Sequence, residues 1–216
     1  MNKKYSKKEE EFSGISDMLE GRHHVIPIMS NDDEEAAEKV DIPQILPILT
    51  LRSSVLFPGS ITPITVGREK SMKLVREVEG VGGILGAVLQ KEPEVEQPGP
   101  DDLYRIGTAA RILKVLEMPN GNLTVILHGL EKVEISEFVV SEPYFKASVA
   151  TLKDSTPDPS NIEFEALVDS IKDVALNIIN VSPQMPKEAT FAIKNIDNKR
   201  GIINFICSNM ELTDED

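Results

Sequence analysis

The chain has 216 residues, 40% of them apolar and 27% charged, with a formal net charge of −13; this is globular composition, with room for one domain and an appendage or for two small domains. No run approaches the roughly 18 consecutive apolar residues of a membrane span, and the charged N-terminus from Met1 to Glu11 does not read as a secretory signal. Cys207 is the single cysteine and tryptophan is absent, which excludes an internal disulfide and a cysteine zinc cluster, argues against an aromatic platform for single-stranded nucleic acid, and fits a cytoplasmic protein.

Residues 1–43 hold 6 basic and 11 acidic side chains and read as an acidic flexible tail. One apolar island interrupts it, Val25-Ile26-Pro27-Ile28-Met29. It is either a sticky patch in the tail or a short segment that pairs with a sheet edge. Residues 44–152 are nearly balanced, with 11 basic and 13 acidic groups. No clustered Lys and Arg suggests phosphate-backbone binding, so nucleic acid is not an expected partner.

Ile45 to Leu51 reads as a strand, with Pro47 confining it to an edge or a strand start. Leu56-Phe57-Pro58-Gly59 is a turn, and Ile61 to Val66 is a second strand. Arg68 to Glu79 switches to helical spacing, with Met72, Val75 and Val78 on one face. Gly80 to Gly83 ends that helix. Ile84 to Gln90 is apolar enough for burial on both faces. Lys91 to Asp102, with Pro93, Pro98, Gly99 and Pro100, is a loop. Leu103 to Met118 is a long strand bent at Gly107, and Pro119-Asn120-Gly121-Asn122 is a hairpin turn suited to two positive φ values. Leu123 to Leu127 returns antiparallel, Val133 to Ser136 alternates as a separate half-buried strand, and Tyr144 to Leu152 is the last. The sum is an antiparallel-rich β domain with one helix, curled or barrel-like because closure removes exposed edges.

Residues 153–160 form a hinge. Ser160-Asn161-Ile162-Glu163 has capping-box spacing, and Phe164, Leu167, Val168, Ile171, Val174, Ala175 and Ile178 make a stripe of helical period. The segment Ser182 to Pro186 breaks it, and short helices follow over Lys187 to Asn195 and Asn198 to Asn209. This helical part, 161–212, is too small to bury a large core alone and must pack on the β domain or on other sequence.

Four patterns that resemble chemical sites do not hold up. Gly80, Gly82, Gly83 and Gly86 precede a strand, where phosphate loops follow one, and Leu85 stands where a dinucleotide fingerprint needs Gly. His23-His24 lacks a third metal ligand. His128 has no Cys or Ser partner to act on. The Glu92, Glu94, Glu96, Asp101 and Asp102 run lacks the frame of a calcium loop and reads as a solvated loop. No catalytic, cofactor-binding or metal residue is assigned.

An ordered series of motifs then carries a resemblance. Ile45-Leu46-Pro47-Ile48-Leu49-Thr50-Leu51-Arg52, Leu56-Phe57-Pro58-Gly59, and Pro63 to Ser71 are similar to the opening of the Lon protease N-terminal domain. Gln90 to Val95, Pro98 to Tyr104, Ile106 to Lys114, Pro119-Asn120-Gly121 and His128-Gly129-Leu130 continue it. The likeness covers Gln44 to about Leu212. Two departures are Ser53, where the family often has Asp or Asn, and His128, where it often has an acidic residue. The resemblance implies a PUA-like β-barrel domain over 44–152 and a helical subdomain after it. It also implies a non-catalytic part that recruits unfolded or tagged protein substrates and helps a hexamer assemble. The ATP and Mg sites and the Ser-Lys peptidase pair would lie in modules that this segment precedes, since no Gly-x-x-x-x-Gly-Lys-Ser/Thr motif occurs here. The competing reading is a free-standing PUA-like adaptor or RNA binder. For substrate contact the turn Leu56, Phe57, Pro58 is the expected place, against the alternative that Leu56 and Phe57 cap the barrel.

Overall fold

Alternating and doubly apolar runs become strands of one sheet because each can bury a face only against the others. The structure, a computed structural model, describes residues 28–29, 40–79, 83–153, 161–182, 188–196 and 198–209. The strands are β1 (Ile28–Met29), β2 (Ile45–Leu51), β3 (Ser60–Val66), β4 (Ile84–Leu89), β5 (Ile106–Glu117), β6 (Leu123–Val140) and β7 (Lys146–Thr151). Helix α1 (Glu69–Glu79) lies between β3 and β4, and α2 (Ile162–Val181), α3 (Glu188–Asn195) and α4 (Lys199–Ser208) follow the sheet. The fold is α+β, as expected. Among the described residues no helix is long and apolar enough to cross a membrane.

The sheet order is β1-β3-β6-β5-β4-β2-β7, and β7 pairs again with β6. That second pairing closes five strands into a barrel and leaves β3 as a flap on the first half of β6. Strands β2 and β4 run parallel, through Ile48↔Gly86 to Leu51↔Leu89; the other pairings are antiparallel. Apolar clusters lie on both faces of the central strands. Leu49, Leu51, Leu85 and Ala87 face Leu74, Val75 and Val78 of α1 on one side, and Leu46, Ile48 and Val88 face Val133, Ile135 and Val149 on the other. This is why β4 reads as a continuous apolar run. Pro47 sits at the start of β2, opposite Lys146 and before the pairing with β4 begins, where a missing N–H costs no ladder bond.

Three expectations need correction. The strands expected at Leu123–Leu127 and Val133–Ser136 are one 18-residue strand, β6. Its register against β5 slips between Ala109↔Glu131 and Ala110↔Gly129, so Leu130 is an extra residue, and such a bulge bends a strand round a barrel without ending it. The β5–β6 turn does not use two positive φ values: Gly121 has φ 84, and among the described residues no non-glycine residue is positive. The Gly121 N–H donates to the Met118 carbonyl at 2.9 Å, which is a type I turn followed by a left-handed glycine. Helix α2 is capped by Asn161, whose side-chain oxygen accepts from the Phe164 N–H at 3.1 Å, one residue later than the expected Ser160 cap.

The apolar island contributes β1, which pairs Ile28 with Ile61 and Met29 with Ser60. The rest of residues 1–39, with His23 and His24, and the expected breaks at Gly80 to Gly82, 154–160 and 183–187 lie outside the described residues. The three later helices share a small core of Val168, Ile179, Ala189, Ile193, Ile196, Ile202 and Phe205.

Candidate functional site

The turn expected to present substrate contacts is held from three sides. Gly59, at φ 79, donates its N–H to the Gly129 carbonyl at 2.9 Å. The Phe57 carbonyl accepts from the Ser60 N–H at 3.2 Å and the Ser60 hydroxyl at 2.6 Å. The Thr108 hydroxyl donates to the Leu56 carbonyl at 2.6 Å, and Asn204 of α4 donates its side-chain N–H to the Pro58 carbonyl at 3.2 Å. This last bond ties the helical part to the barrel at the turn.

The three named residues do not share one role. Leu56 is 2% exposed and belongs to the core with Leu51 and Ala87, so packing uses nearly all of its side chain. Phe57 and Pro58 are half-buried.

Beside this turn the barrel wall opens into a hollow of about 420 Å3. Leu51, Leu56 and Leu89 line it, and Val55, Tyr104 and Ile106 form its rim. The rim residues are large and apolar, yet 48%, 48% and 54% exposed. Local structure explains why they stay outside. Val55 lies in the loop between β2 and the turn. Tyr104 is fixed by its N–H donating to the Leu89 carbonyl at 3.0 Å, and Ile106 opens β5 opposite Glu134. Gly107 completes the hollow, because a Cβ there would come within 2.6 Å of the Ala87 carbonyl oxygen and 2.7 Å of Val88. Sequence reasoning read Tyr104 and Ile106 only as part of a strand; nothing local marks them as neighbours of Val55.

A second region is polar. Two grooves of about 510 and 550 Å3 meet at Arg68, sharing Thr50, Ser71 and Glu96. The Arg68 guanidinium donates to Gln90 Oε1 at 2.8 Å, the Val95 carbonyl at 3.0 Å and Thr50 Oγ1 at 3.2 Å. Gln90 is 1% exposed and donates to the Glu92 and Val95 carbonyls at 2.6 and 3.1 Å. Burial first, and then the nearby Arg52 charge, pull Arg68 below the ordinary guanidinium range, with Glu96 opposing. Arg52 bonds Glu96 at 2.6 Å, and that hydrogen bond lowers the Glu96 carboxyl. The acidic loop is exposed at Glu92, Glu94, Glu96 and Asp101, as expected, and it is also fastened: Asp102 accepts from the Gly99 N–H at 2.8 Å. These polar groups mostly satisfy one another, which is the arrangement of a structural clasp.

Among the described residues no three His, Cys, Asp or Glu side chains group to hold a metal ion. His128 lies within β6 opposite Ile61 and Arg111. The lining of the hollow is mostly apolar, with Tyr104 and Arg105 as its polar-tipped members.

Comparison with known proteins accords with the fold. The family model for the substrate-binding domain of ATP-dependent protease La (Lon) matches residues 45–216. The chain is 49% identical over 189 residues to the Lon protease of Flavobacterium johnsoniae, covering 88% of this chain and 23% of that protein. It is 40% identical over 189 residues to the Lon protease of Parabacteroides distasonis, covering 86% and 23%. The chain thus spans about a quarter of the length of the curated relatives it matches. Among solved structures, the N-terminal domain of Mycobacterium avium complex Lon protease aligns with TM-score 0.59 at 16% identity, over 79% of this chain and 86% of that one; at that identity the likeness speaks for the fold. With the family model covering most of its length and relatives this similar, the chain belongs to the Lon protease substrate-binding domain family.

Proposed function

We propose that this chain recruits non-native protein substrates for an ATP-dependent serine protease of the Lon type, and that it does so without catalysing a reaction itself. In this reading ATP and Mg act in other parts of such a protease, in the cytoplasm, and several copies are brought together in a hexameric ring. The observation that carries the reading is the hollow rimmed by Val55, Tyr104 and Ile106. Folded monomers seldom leave three large apolar side chains exposed around one concavity unless something occupies it.

The physics suits loose capture. A hollow of about 420 Å3 admits one or two apolar side chains of an extended chain, too few contacts for tight or sequence-strict binding. Many weak sites in a ring raise the effective affinity without fixing the sequence recognised. Phe57 and Pro58 follow Leu56 in the turn and are half-buried, so in this reading they extend the contact beyond the hollow.

The test is a fluorescence anisotropy titration of this chain into labelled, reduced and unfolded casein. Tyr104→Ala and Ile106→Asp should each weaken binding about tenfold, or about 1.4 kcal/mol, while leaving the thermal transition in place. Binding that is unchanged in both variants removes the hollow from the account.

A further inference from the structure

The head of α1 is short of acceptors. Arg68 stands at its N-cap position, where its carbonyl accepts from the Met72 N–H at 2.9 Å, but a guanidinium cannot accept from the N–H groups that follow. Among the described residues nothing accepts from the N–H groups of Glu69, Lys70 or Ser71. A first helical turn with free donors also carries the positive end of the helix dipole. Ser71 is 8% exposed and lines both grooves that meet at Arg68, and among the described residues its hydroxyl has no hydrogen-bond partner. The covered Nε–H of Arg68 has no acceptor either. Buried polar groups are seldom left so. The acids of the rim do not compensate. Glu142 bonds Lys70 at 2.5 Å and Glu96 bonds Arg52 at 2.6 Å, whereas Arg68 bonds only uncharged groups of Thr50, Gln90 and Val95. Glu69 is exposed and bonds none of these donors.

We propose that the groove of about 510 Å3 at the head of α1 receives the C-terminal residue of a polypeptide. The Ser71 hydroxyl and the first-turn N–H groups hold its free carboxylate, and its apolar side chain lies against Leu74, Ile48 and Phe145 of the lining. This pocket deepens the recruiting role proposed above, on which it rests, by naming the chain end that is taken. Two features select a chain end over other anions. Ser71 and Leu74 are one turn apart on the same face of α1, so the donor and the apolar wall are neighbours, about 5–6 Å between Cβ atoms. A C-terminal residue carries its carboxylate and its side chain on one Cα and meets both at once. An internal Asp or Glu brings the carboxylate alone, because its chain neighbours point to the opposite side of an extended backbone. The second feature is the rim. Glu96 and Glu142 stand beside the groove, and a single carboxylate meets less repulsion from them than a doubly charged phosphate does.

The test is an anisotropy titration of the full chain into a short glycine–serine peptide that ends in leucine and carries a label at its N-terminus. The free acid should bind at least about tenfold more tightly than the same peptide closed as a C-terminal amide. The amide with a glutamate placed inside it should bind no better than the plain amide. Ser71→Ala should weaken the free acid about tenfold, as for one hydrogen bond to a charged group. The thermal transition should stay in place, since the hydroxyl removed has no partner in the fold. Inorganic phosphate at the concentration of the peptide should not displace it. Equal binding of acid and amide overturns the proposal, as does acid binding that is indifferent to Ser71→Ala. Displacement by phosphate as effective as by unlabelled peptide overturns it too, and makes the head of α1 a simple anion site. The casein titration keeps the two readings apart. Acid and amide that bind alike, with casein still lost in Tyr104→Ala, remove the groove and leave the hollow; acid-selective binding with casein indifferent to Tyr104→Ala supports the groove and removes the hollow.

Discussion

A Cβ added at Gly129 would sit 2.2 Å from the carbonyl oxygen of Phe57. The backbone of β6 and the Leu56–Gly59 turn therefore touch at a distance only glycine allows, and the Gly59 N–H bonds the Gly129 carbonyl at the same place. Gly129→Ala must push the turn outward. It should lower stability by about 1–3 kcal/mol, the cost of overpacking, and weaken unfolded-protein binding by displacing the wall of the hollow. Urea denaturation and the casein titration on this variant check both.

Leu56 and Phe57 are neighbours with different burial, and truncation should separate them. Leu56→Ala removes a core side chain and should cost about 2–5 kcal/mol. Phe57→Ala trims a half-buried ring and should cost less, about 1–2 kcal/mol, with a further loss of casein affinity. Equal destabilisation by the two substitutions would show Phe57 to be a full core residue.

The Tyr144 hydroxyl donates to Glu77 Oε2 at 2.6 Å, and that bond, with burial, raises its pKa from 10.0 to about 12. The raised value sets the sign. Above pH 10 unfolded tyrosine loses its proton while Tyr144 in the folded chain keeps it, so the contribution is full below pH 10 and disappears by about pH 12. The decline should reach up to about 2 kcal/mol, below the full value of the shift because Glu77 is exposed to solvent. Comparing Tyr144→Phe with the parent chain by urea denaturation across this range isolates it; parallel pH profiles would refute it.

Gln90 and Arg68 form the clasp at the head of α1, and its two ends differ in weight. Gln90→Leu takes one hydrogen bond from the Arg68 guanidinium and one from each of two backbone carbonyls, which keep their other partners, and should cost about 1–3 kcal/mol. Arg52→Ala breaks only the exposed pair with Glu96 and should leave the urea midpoint unchanged.

Much of the barrel was legible because its signals are local. The doubly apolar run of β4, the helical spacing of α1 and the Asn120-Gly121 turn each need only a short window. The continuity of β6 was hidden because Gly129 looks like a break, and it is instead a contact made with Phe57, 72 residues away in sequence. The hollow was illegible for the same reason, since Val55 meets Tyr104 and Ile106 only when β4 pairs with both β2 and β5. In α2 the period showed an apolar sector correctly but could not show which half α3 and α4 cover.

The central claim is that non-native polypeptide sits in the hollow beside the Leu56–Gly59 turn. A photo-cross-linking phenylalanine derivative at position 104 replaces one aromatic ring with another at the rim, and the same group at position 117 places it on the β5–β6 hairpin. Irradiation with labelled unfolded casein should yield adducts from position 104, suppressed by Ile106→Asp, and few from position 117. Equal yields from the two positions, or adducts at 104 indifferent to Ile106→Asp, would contradict the account.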